Sequence, residues 1–251
     1  MRLILAIFLT VSVFADASVR AHRRAHIWAE KTVLLLHFDG ADAATSATDV
    51  ALGDTAPHTV AFVDNAQIDT AQSKFGGASL LLDGNGDYVD VANSPDFNFG
   101  SSDFTVELQF RLGGAGTNTW QELIGMWAEV GGGKSWLIGY DYNTTTLYFA
   151  TSADGSSQDV CSAVVSLDGF VHLAGVRDGS TLRLFVNGTS VSTAAVSGSI
   201  YADTVKPMRI GARNNAALYA KGHIDEVRIS DVARYTANFT PRQGPFQAIG
   251  Q

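Results

Sequence analysis

Residues 104–112 carry the pattern that most constrains the fold. Five apolar residues alternate there with polar neighbours without a break: Phe104, Val106, Leu108, Phe110 and Leu112. Side chains of a β-strand point alternately to its two faces, so the pattern predicts a half-buried strand with one wet face. Glu107, Gln109 and Arg111 are expected to line a solvated or concave surface.

Other short strand patterns recur along residues 32–230 and are separated by turn sequences such as Asn187-Gly188. The chain has 25 glycines and 14 phenylalanines, and little helical periodicity. Strands and turns are therefore favoured over helices. The prediction is an all-β fold in one domain: a two-sheet antiparallel jelly-roll sandwich.

Charge and cysteine content exclude several classes of protein. The net charge is -8 and 17% of residues are charged, whereas nucleic-acid binders carry clustered Lys and Arg. Cys161 is the only cysteine, so an intrachain disulfide and the C-x-x-C metal and redox motifs are excluded. We expect Cys161 to be a small buried apolar residue.

The N-terminus has the pattern of a secretory leader. Met1-Arg2 precedes an apolar run at residues 3–15, and Ala15-Asp16-Ala17 supplies the small residues of a cleavage site. The predicted organisation is a signal peptide (1–17), a basic linker (18–31), the jelly-roll domain (32–241) and a C-terminal tail (242–251). The apolar run is short for a membrane span, so the mature chain is expected not to insert into a membrane. A retained N-terminal helix is the alternative.

A strand pattern at residues 222–230 contains Asp225. At a period of two, Asp225 shares the core-facing side with Val227 and Ile229. A buried carboxylate must be paired, hydrogen-bonded or metal-bound. The first strand pattern, residues 33–39, also ends in an aspartate, so we expect one cation to join Asp39 and Asp225.

Calcium suits such a site because it prefers six to eight oxygen ligands. Asp39 and Asp225 would supply carboxylates, and Gly40 and Asp83 would add further oxygens. Its role would be structural. Alternatively, Asp225 pairs with an arginine or accepts backbone N–H groups.

Nine motifs resemble a known family when read in order: LLHFDG (35–40), FGGASL (75–80), GDYV (86–89), DFTVE (103–107), HLAGVR (172–177), LFVNG (184–188), IG (210–211), GHIDEVRIS (222–230) and ARYTANFTP (233–241). This order is similar to the laminin-G-like, concanavalin A-like jelly-roll domains of the bacterial and phage branch. The resemblance covers about residues 32–241. It implies a structural calcium near Asp39 and Asp225, and a place on a secreted enzyme, surface protein or phage tail or virion protein.

Catalytic patterns are missing. Glycoside hydrolysis needs two carboxyl groups ~5–10 Å apart, which related glucanases supply from one Glu-x-Asp-x-x-Glu strand, but here the polar face of residues 104–112 offers only Glu107. His37, His172 and His223 lie far apart in the sequence, on strand patterns. We expect each of them to be a hydrogen-bonded residue rather than a metal ligand. The prediction is that the chain is not an enzyme.

Aromatic residues in loops are the candidates for sugar binding, since sugars stack on aromatic faces beside polar groups. The candidate ligand-binding residues are Trp120, Tyr142, Arg213, Asn214 and Tyr219. Trp127, Trp136 and Tyr140 lie on strand patterns and are expected in the core.

The sequence therefore predicts a secreted or virion-exposed, non-enzymatic recognition domain that binds a glycan or cell-surface glycoconjugate. A structural or assembly role in a surface layer, filament or phage virion, with self-assembly, is the alternative. A polysaccharide hydrolase is disfavoured by the missing acid pair.

Overall fold

The computed structural model describes residues 31–53, 55–129, 133–196, 198–214 and 218–248. The predicted signal peptide and most of the predicted linker lie outside these residues. In the described part, no helix has the length and apolar character needed to cross a membrane.

The described chain is built from strands and one short 3-10 helix, Pro95–Phe97. In chain order the strands are β1 (Thr32–Leu36), β2 (Val60–Val63), β3 (Gln67–Asp69), β4 (Ser79–Asp83), β5 (Tyr88–Val91), β6 (Phe104–Leu112), β7 (Trp120–Met126), β8 (Trp136–Asp141), β9 (Thr146–Thr151), β10 (Asp159–Val164), β11 (Phe170–Asp178), β12 (Thr181–Val186), β13 (Thr189–Ala195), β14 (Met208–Ile210) and β15 (Lys221–Ser230).

These strands form two antiparallel sheets, as the sequence predicts. Sheet A has the order β13-β12-β11-β6-β15-β4-β3, with β1 also paired to β15. Sheet B has the order β10-β9-β8-β7-β14-β5-β2. The architecture is a jelly-roll sandwich in which the first and last strands lie side by side.

The core lies between the two sheets. Phe104, Val106, Leu108 and Phe110 of β6 are all fully buried there. Trp136 and Tyr140 of β8 join the same core, as predicted. The indole Nε1 of Trp136 donates to the Phe97 carbonyl at 3.1 Å, so this buried N–H is satisfied.

The predicted wet face of β6 is wrong. Glu107 is 0% exposed and Gln109 is 1% exposed. The segment after β15 folds back across the outer face of sheet A, and its residues Tyr235 and Phe239 pack against Phe185. The sequence pattern reports which side of β6 faces the core, but it carries no information on what covers the other side.

Beneath this cover, Glu107 forms a buried polar cluster instead of facing solvent. Its carboxylate lies 2.7 Å from Nε of Arg228 and 2.9 Å from Nε2 of His172, and it accepts the Tyr235 hydroxyl at 2.9 Å. Burial raises the pKa of Glu107, but the charge of Arg228 and the His172 hydrogen bond outweigh it and hold the pKa well below its usual range. Glu107 is therefore an ionised structural residue.

The cover extends past residue 241, the predicted end of the domain. Phe246 is 2% exposed and packs with Leu35 and Ala51, and its ring lies 4.5 Å from the Arg228 guanidinium.

The predicted core-facing position of Asp225 in the last strand is also wrong, whereas Val227 and Ile229 face the core as predicted. In β15, Ile224 pairs with Phe110 and Asp225 with Gln109, so Asp225 lies on the outer side of sheet A. The register shifts between Asp225 and Arg228, and Glu226 there has φ 53°. Such a bulge inserts one residue and reverses the alternation, so Val227 and Ile229 return to the core. Glu226 is 0% exposed and Arg228 is 1% exposed, so both side chains are buried.

Candidate functional site

Asp225 lies at the meeting of the first and last strands. Its Oδ2 accepts the backbone N–H of Lys74 at 2.7 Å and of Phe75 at 3.0 Å. Its Oδ1 is buried and has no hydrogen-bond partner among the described residues. One oxygen therefore behaves as the backbone-bonded alternative predicts, and the other remains available to a cation.

Asp39 lies in the same region. A Cβ added at Gly76 would overlap the Asp39 carboxylate, so this glycine makes room for it beside the loop that binds Asp225. Burial raises the pKa of Asp225 to about 7, with further increases from the charges of Glu226 and Asp39 and an opposing effect of the backbone hydrogen bonds. The charge of Asp39 therefore acts on the Asp225 carboxyl group.

Asp83 is not part of this region. It pairs with Lys221, four residues before Asp225 on β15, which places it about 13 Å away along the strand. Its Oδ1 instead accepts the Asn85 N–H at 2.7 Å within a turn. Gly40 is exposed beside Asp39 and lines the same surface pocket as His37.

The donor set of a cation at Asp39 and Asp225 would be completed by backbone oxygens. Among the residues that the structure describes, no group of three or more His, Cys, Asp or Glu side chains could hold a metal ion. The orphaned Oδ1 of Asp225 still fits a hard cation, because calcium accepts carbonyl and water oxygens as well as carboxylates.

The three histidines each contact a carboxylate, as expected of hydrogen-bonded residues. His37 lies 2.7 Å from Glu226, and His223 lies 2.8 Å from Asp69. His172 contacts Glu107, as described above. These contacts anchor loops and strands of sheet A.

A second candidate site is an apolar groove of about 420 Å³ on the outer face of sheet B. We call it the sheet B groove; it is lined by Trp120, Trp127, Glu129, Leu137, Tyr148, Ala150, Gln158, Val160, Arg213 and Leu218. Strands β7 to β10 supply five of these ten residues, because their alternate positions face away from the core.

Two aromatic residues form one wall of the sheet B groove. Trp120 and Tyr148 have ring centroids 4.5 Å apart at an interplanar angle of 46°, and both are partly exposed. A Cβ at Gly139, across the ladder on β8, would lie 3.2 Å from the Trp120 ring. The glycine therefore leaves space for Trp120 to lie over the sheet.

An arginine between two carboxylates forms the polar wall. Nε of Arg213 lies 3.0 Å from Glu122 Oε2, and its Nη1 lies 2.9 Å from Glu129 Oε1. Lys134 contacts the other oxygen of Glu129 at 2.9 Å. Burial raises the pKa of Glu122 to about 8 even though Arg213 opposes this effect.

The structure brings together Trp120 and Arg213 from the predicted ligand-binding set. Asn214 lies next to them, and its N–H donates to the Trp127 carbonyl at 3.2 Å. Tyr142 lies elsewhere, in a pocket with Tyr140. Tyr219 does not line the groove.

Trp127 departs from its predicted position. It is 1% exposed, but it belongs to a small cluster with Leu137 and Ala150 on the outside of sheet B, not to the core between the sheets. Its indole N–H donates to Glu129 at 3.3 Å. Trp127 therefore supports the floor of the groove.

Sequence reasoning missed Tyr148, Glu129, Gln158 and Glu122. Alternation in residues 146–151 could have placed Tyr148 on the outer face, because its neighbours Leu147 and Phe149 are core residues. Glu122 carried no such signal, since the β7–β8 register shifts between Glu122 and Ile124.

The fold and the sheet B groove define the chain as a concanavalin A-like jelly-roll domain. The family model described as the concanavalin A-like lectin/glucanases superfamily matches residues 83–238, and the chain belongs to this laminin-G-like family. No curated protein matches at a significant level.

Solved structures with the same fold include binding domains of clostridial toxins. The binding domain of Paraclostridial Mosquitocidal Protein 1 is 15% identical with a TM-score of 0.61, over 83% of this chain and 50% of that one. The botulinum neurotoxin serotype G binding domain is 10% identical with a TM-score of 0.62, over 81% and 48%. The binding domain of botulinum neurotoxin DC in complex with SialylT is 13% identical with a TM-score of 0.61, over 82% and 49%. The chain thus spans about half the length of these structures, and the likeness concerns the fold.

Proposed function

We propose that this chain is a non-enzymatic recognition domain that binds carbohydrate, or a glycosylated surface, in the sheet B groove. The observation that carries the proposal is the pairing of a Trp120–Tyr148 wall with the polar wall of Arg213 and Glu129. Aromatic faces take the C–H side of a pyranose, and a few fixed polar groups orient its hydroxyls.

The structural neighbours support a binding role. These neighbours are binding or receptor-binding domains of toxins, and one is in complex with SialylT. A protein with such a role acts outside the cell that makes it, which agrees with the leader pattern of residues 1–17. We extend the proposal to a secreted or virion-exposed location on that basis.

The positions of the carboxylates support a non-enzymatic role. Glycoside hydrolysis needs two carboxyl groups that flank the scissile bond. Glu129 is the one carboxylate among the described residues that line the groove. Glu122 is fully buried beneath it, and Glu107 is held under the cover of sheet A. Neither is placed to act with Glu129 on a bound sugar.

A structural calcium at Asp39 and Asp225 is part of the same proposal. The unpartnered Oδ1 of Asp225 and the neighbouring Asp39 carboxylate support it. Calcium there would neutralise two negative charges at the junction of β1, β15 and the loop that contains Phe75. It would stabilise the fold and would affect ligand binding in the groove only indirectly.

The test is binding to a broad glycan and cell-wall polysaccharide array, with calcium and again with EDTA. Wild type is compared with Trp120→Ala, and Tyr142→Ala is the matched control because it removes a partly exposed aromatic side chain from a different pocket. We expect a reproducible hit that Trp120→Ala weakens at least tenfold and Tyr142→Ala leaves within twofold. A blank array from a folded sample would contradict carbohydrate as the ligand, and equal loss in both variants would contradict the groove as the binding site. A blank array with self-association on sizing would favour the assembly role instead.

A further inference from the structure

Glu122 is a buried acid placed directly behind the polar wall of the sheet B groove. It is 0% exposed and lies in β7, where the register with β8 shifts between Glu122 and Ile124. A Cβ at Gly125 would lie 2.9 Å from Glu122 Oε1 and 2.8 Å from the Trp136 carbonyl. A glycine at this position therefore leaves the space that the acid occupies.

Glu122 fixes the orientation of Arg213. It accepts Nε of Arg213 at 3.0 Å from behind, while Glu129 accepts Nη1 at 2.9 Å at the rim. These two bonds hold the planar guanidinium in one orientation. The remaining nitrogen, Nη2, has no hydrogen-bond partner among the described residues and is left for a ligand.

Two neighbours of Arg213 have buried side-chain polar atoms with no hydrogen-bond partner within the described chain. These atoms are Oε1 of Glu122 and both side-chain polar atoms of Asn214. Buried polar groups are nearly always hydrogen-bonded, and an unpaired one is costly. Their position beside Arg213 marks the polar wall as a candidate binding site for a polar group.

The charge of the wall depends on Glu122. Glu129 forms ion pairs with both Arg213 and Lys134, so one ionised carboxylate is shared by two cations. Arg209 is the other charged group close enough to affect Glu122. When Glu122 is neutral, Arg213 keeps an uncompensated positive charge; when Glu122 ionises, that charge is neutralised from behind.

We propose that Glu122 is the positioning residue of the groove and that the groove holds an acidic group of its ligand, a carboxylate or sulfate, against Arg213 while Glu122 is protonated. This proposal deepens the proposed function and rests on the sheet B groove being the ligand site. Burial keeps the pKa of Glu122 at about 8 against the opposing charge of Arg213, so the acid is largely neutral at pH 7. Ligand affinity should fall as the pH rises through this value.

The test uses the full chain and the aromatic sulfonate 8-anilinonaphthalene-1-sulfonate, whose rings suit the apolar groove and whose anion suits Arg213. We expect its affinity for wild type to fall at least fivefold between pH 6.5 and pH 9. Glu122→Gln stays neutral and should vary less than twofold over the same range. Asp178→Asn, which removes an acid of the partly exposed pair with Arg183 on sheet A, should keep the wild-type profile.

Two results would overturn the proposal: a flat profile in wild type, or the same fall in Glu122→Gln as in wild type. If Glu122→Gln does not fold, the Arg213 Nε–H resonance of ¹⁵N-labelled wild type decides instead. It should titrate near pH 8, and a resonance that is constant with pH would contradict the role of Glu122.

The sulfonate experiment and the glycan array test different claims, so one can give a negative result without the other. A blank array with a pH-dependent sulfonate profile would reject carbohydrate as the ligand and retain Glu122 as the positioning residue. An array hit with a flat sulfonate profile would retain carbohydrate as the ligand and reject Glu122 as the positioning residue.

Discussion

Nε of Arg228 lies 2.7 Å from Oε1 of Glu107, and both side chains are at most 1% exposed. The pair joins β15 to β6 and anchors the C-terminal cover of sheet A through Tyr235. Removing one partner of a buried ion pair leaves an uncompensated charge, which costs about 3–5 kcal/mol.

Glu107→Gln should therefore lower the free energy of unfolding by about 3 kcal/mol or more. Urea denaturation followed by fluorescence measures this change. Asp178→Asn is the control because it breaks the partly exposed pair with Arg183, and surface pairs contribute about 0–1 kcal/mol. Equal effects of the two substitutions would show that the Glu107 cluster is not a stabilising unit.

Calcium should raise the melting temperature of wild type. A ligand at 100 times its Kd stabilises the native state by about 2.7 kcal/mol, which a thermal melt with calcium or EDTA detects. Asp225→Asn and Asp39→Asn should abolish this shift. Asp83→Asn should retain it, because Asp83 lies away from the site. Retention of the shift in Asp225→Asn would reject the proposed calcium site.

In EDTA, Asp225 should make stability fall as pH rises. Its folded-state pKa is raised to about 7 by burial, above the value near 3.9 of an unfolded aspartate. Between these values the folded state binds more protons than the unfolded state, so the free energy of unfolding decreases with rising pH. Asp225→Asn should flatten this slope between pH 5 and pH 7. An unchanged slope in the variant would show that another group is responsible.

Gly125→Ala should destabilise the chain by about 1–3 kcal/mol, the usual cost of overpacking. Its new methyl would press on the Trp136 carbonyl, the Glu122 carboxyl and the Leu137 side chain, each at 2.8–2.9 Å. Gly244→Ala is the control because no atom lies within 4 Å of its added Cβ. Chemical denaturation of both variants checks the prediction. An unchanged free energy of unfolding in Gly125→Ala would contradict it and would mean that the surrounding atoms move to accommodate the methyl group.

The sequence predicts more of the fold than of the candidate sites. Alternation in residues 104–112 correctly identified the core side of β6, because period two is a local property of a strand. It misjudged Glu107, because the cover of that face comes from residues about 130 positions later in the chain. In β15 one bulged residue, Glu226, was enough to reverse the predicted side of Asp225.

The candidate sites show the same limit. The shared cation of Asp39 and Asp225 stays a prediction, made because the two aspartates lie on the first and last strand patterns. Arg213 and Trp120 were identified as polar and aromatic residues of loops, but Trp120 is the first residue of β7, so its loop placement was wrong. The meeting of the two residues depends on β14 lying beside β7 in sheet B. Tyr148 and Glu122 come from strands, where an outward-facing side chain looks like any other surface residue.

The most direct measurement of the central claim is an ¹H–¹⁵N NMR titration of the tryptophan indole signals with the glycan that binds best on the array. Trp120 and Trp127 line the sheet B groove, whereas the indole N–H of Trp136 is bonded inside the core and serves as an internal control. We predict saturable shifts at Trp120 and Trp127 with Trp136 unchanged. Saturable binding that leaves Trp120 and Trp127 unshifted would place the ligand elsewhere and contradict the groove as the recognition site.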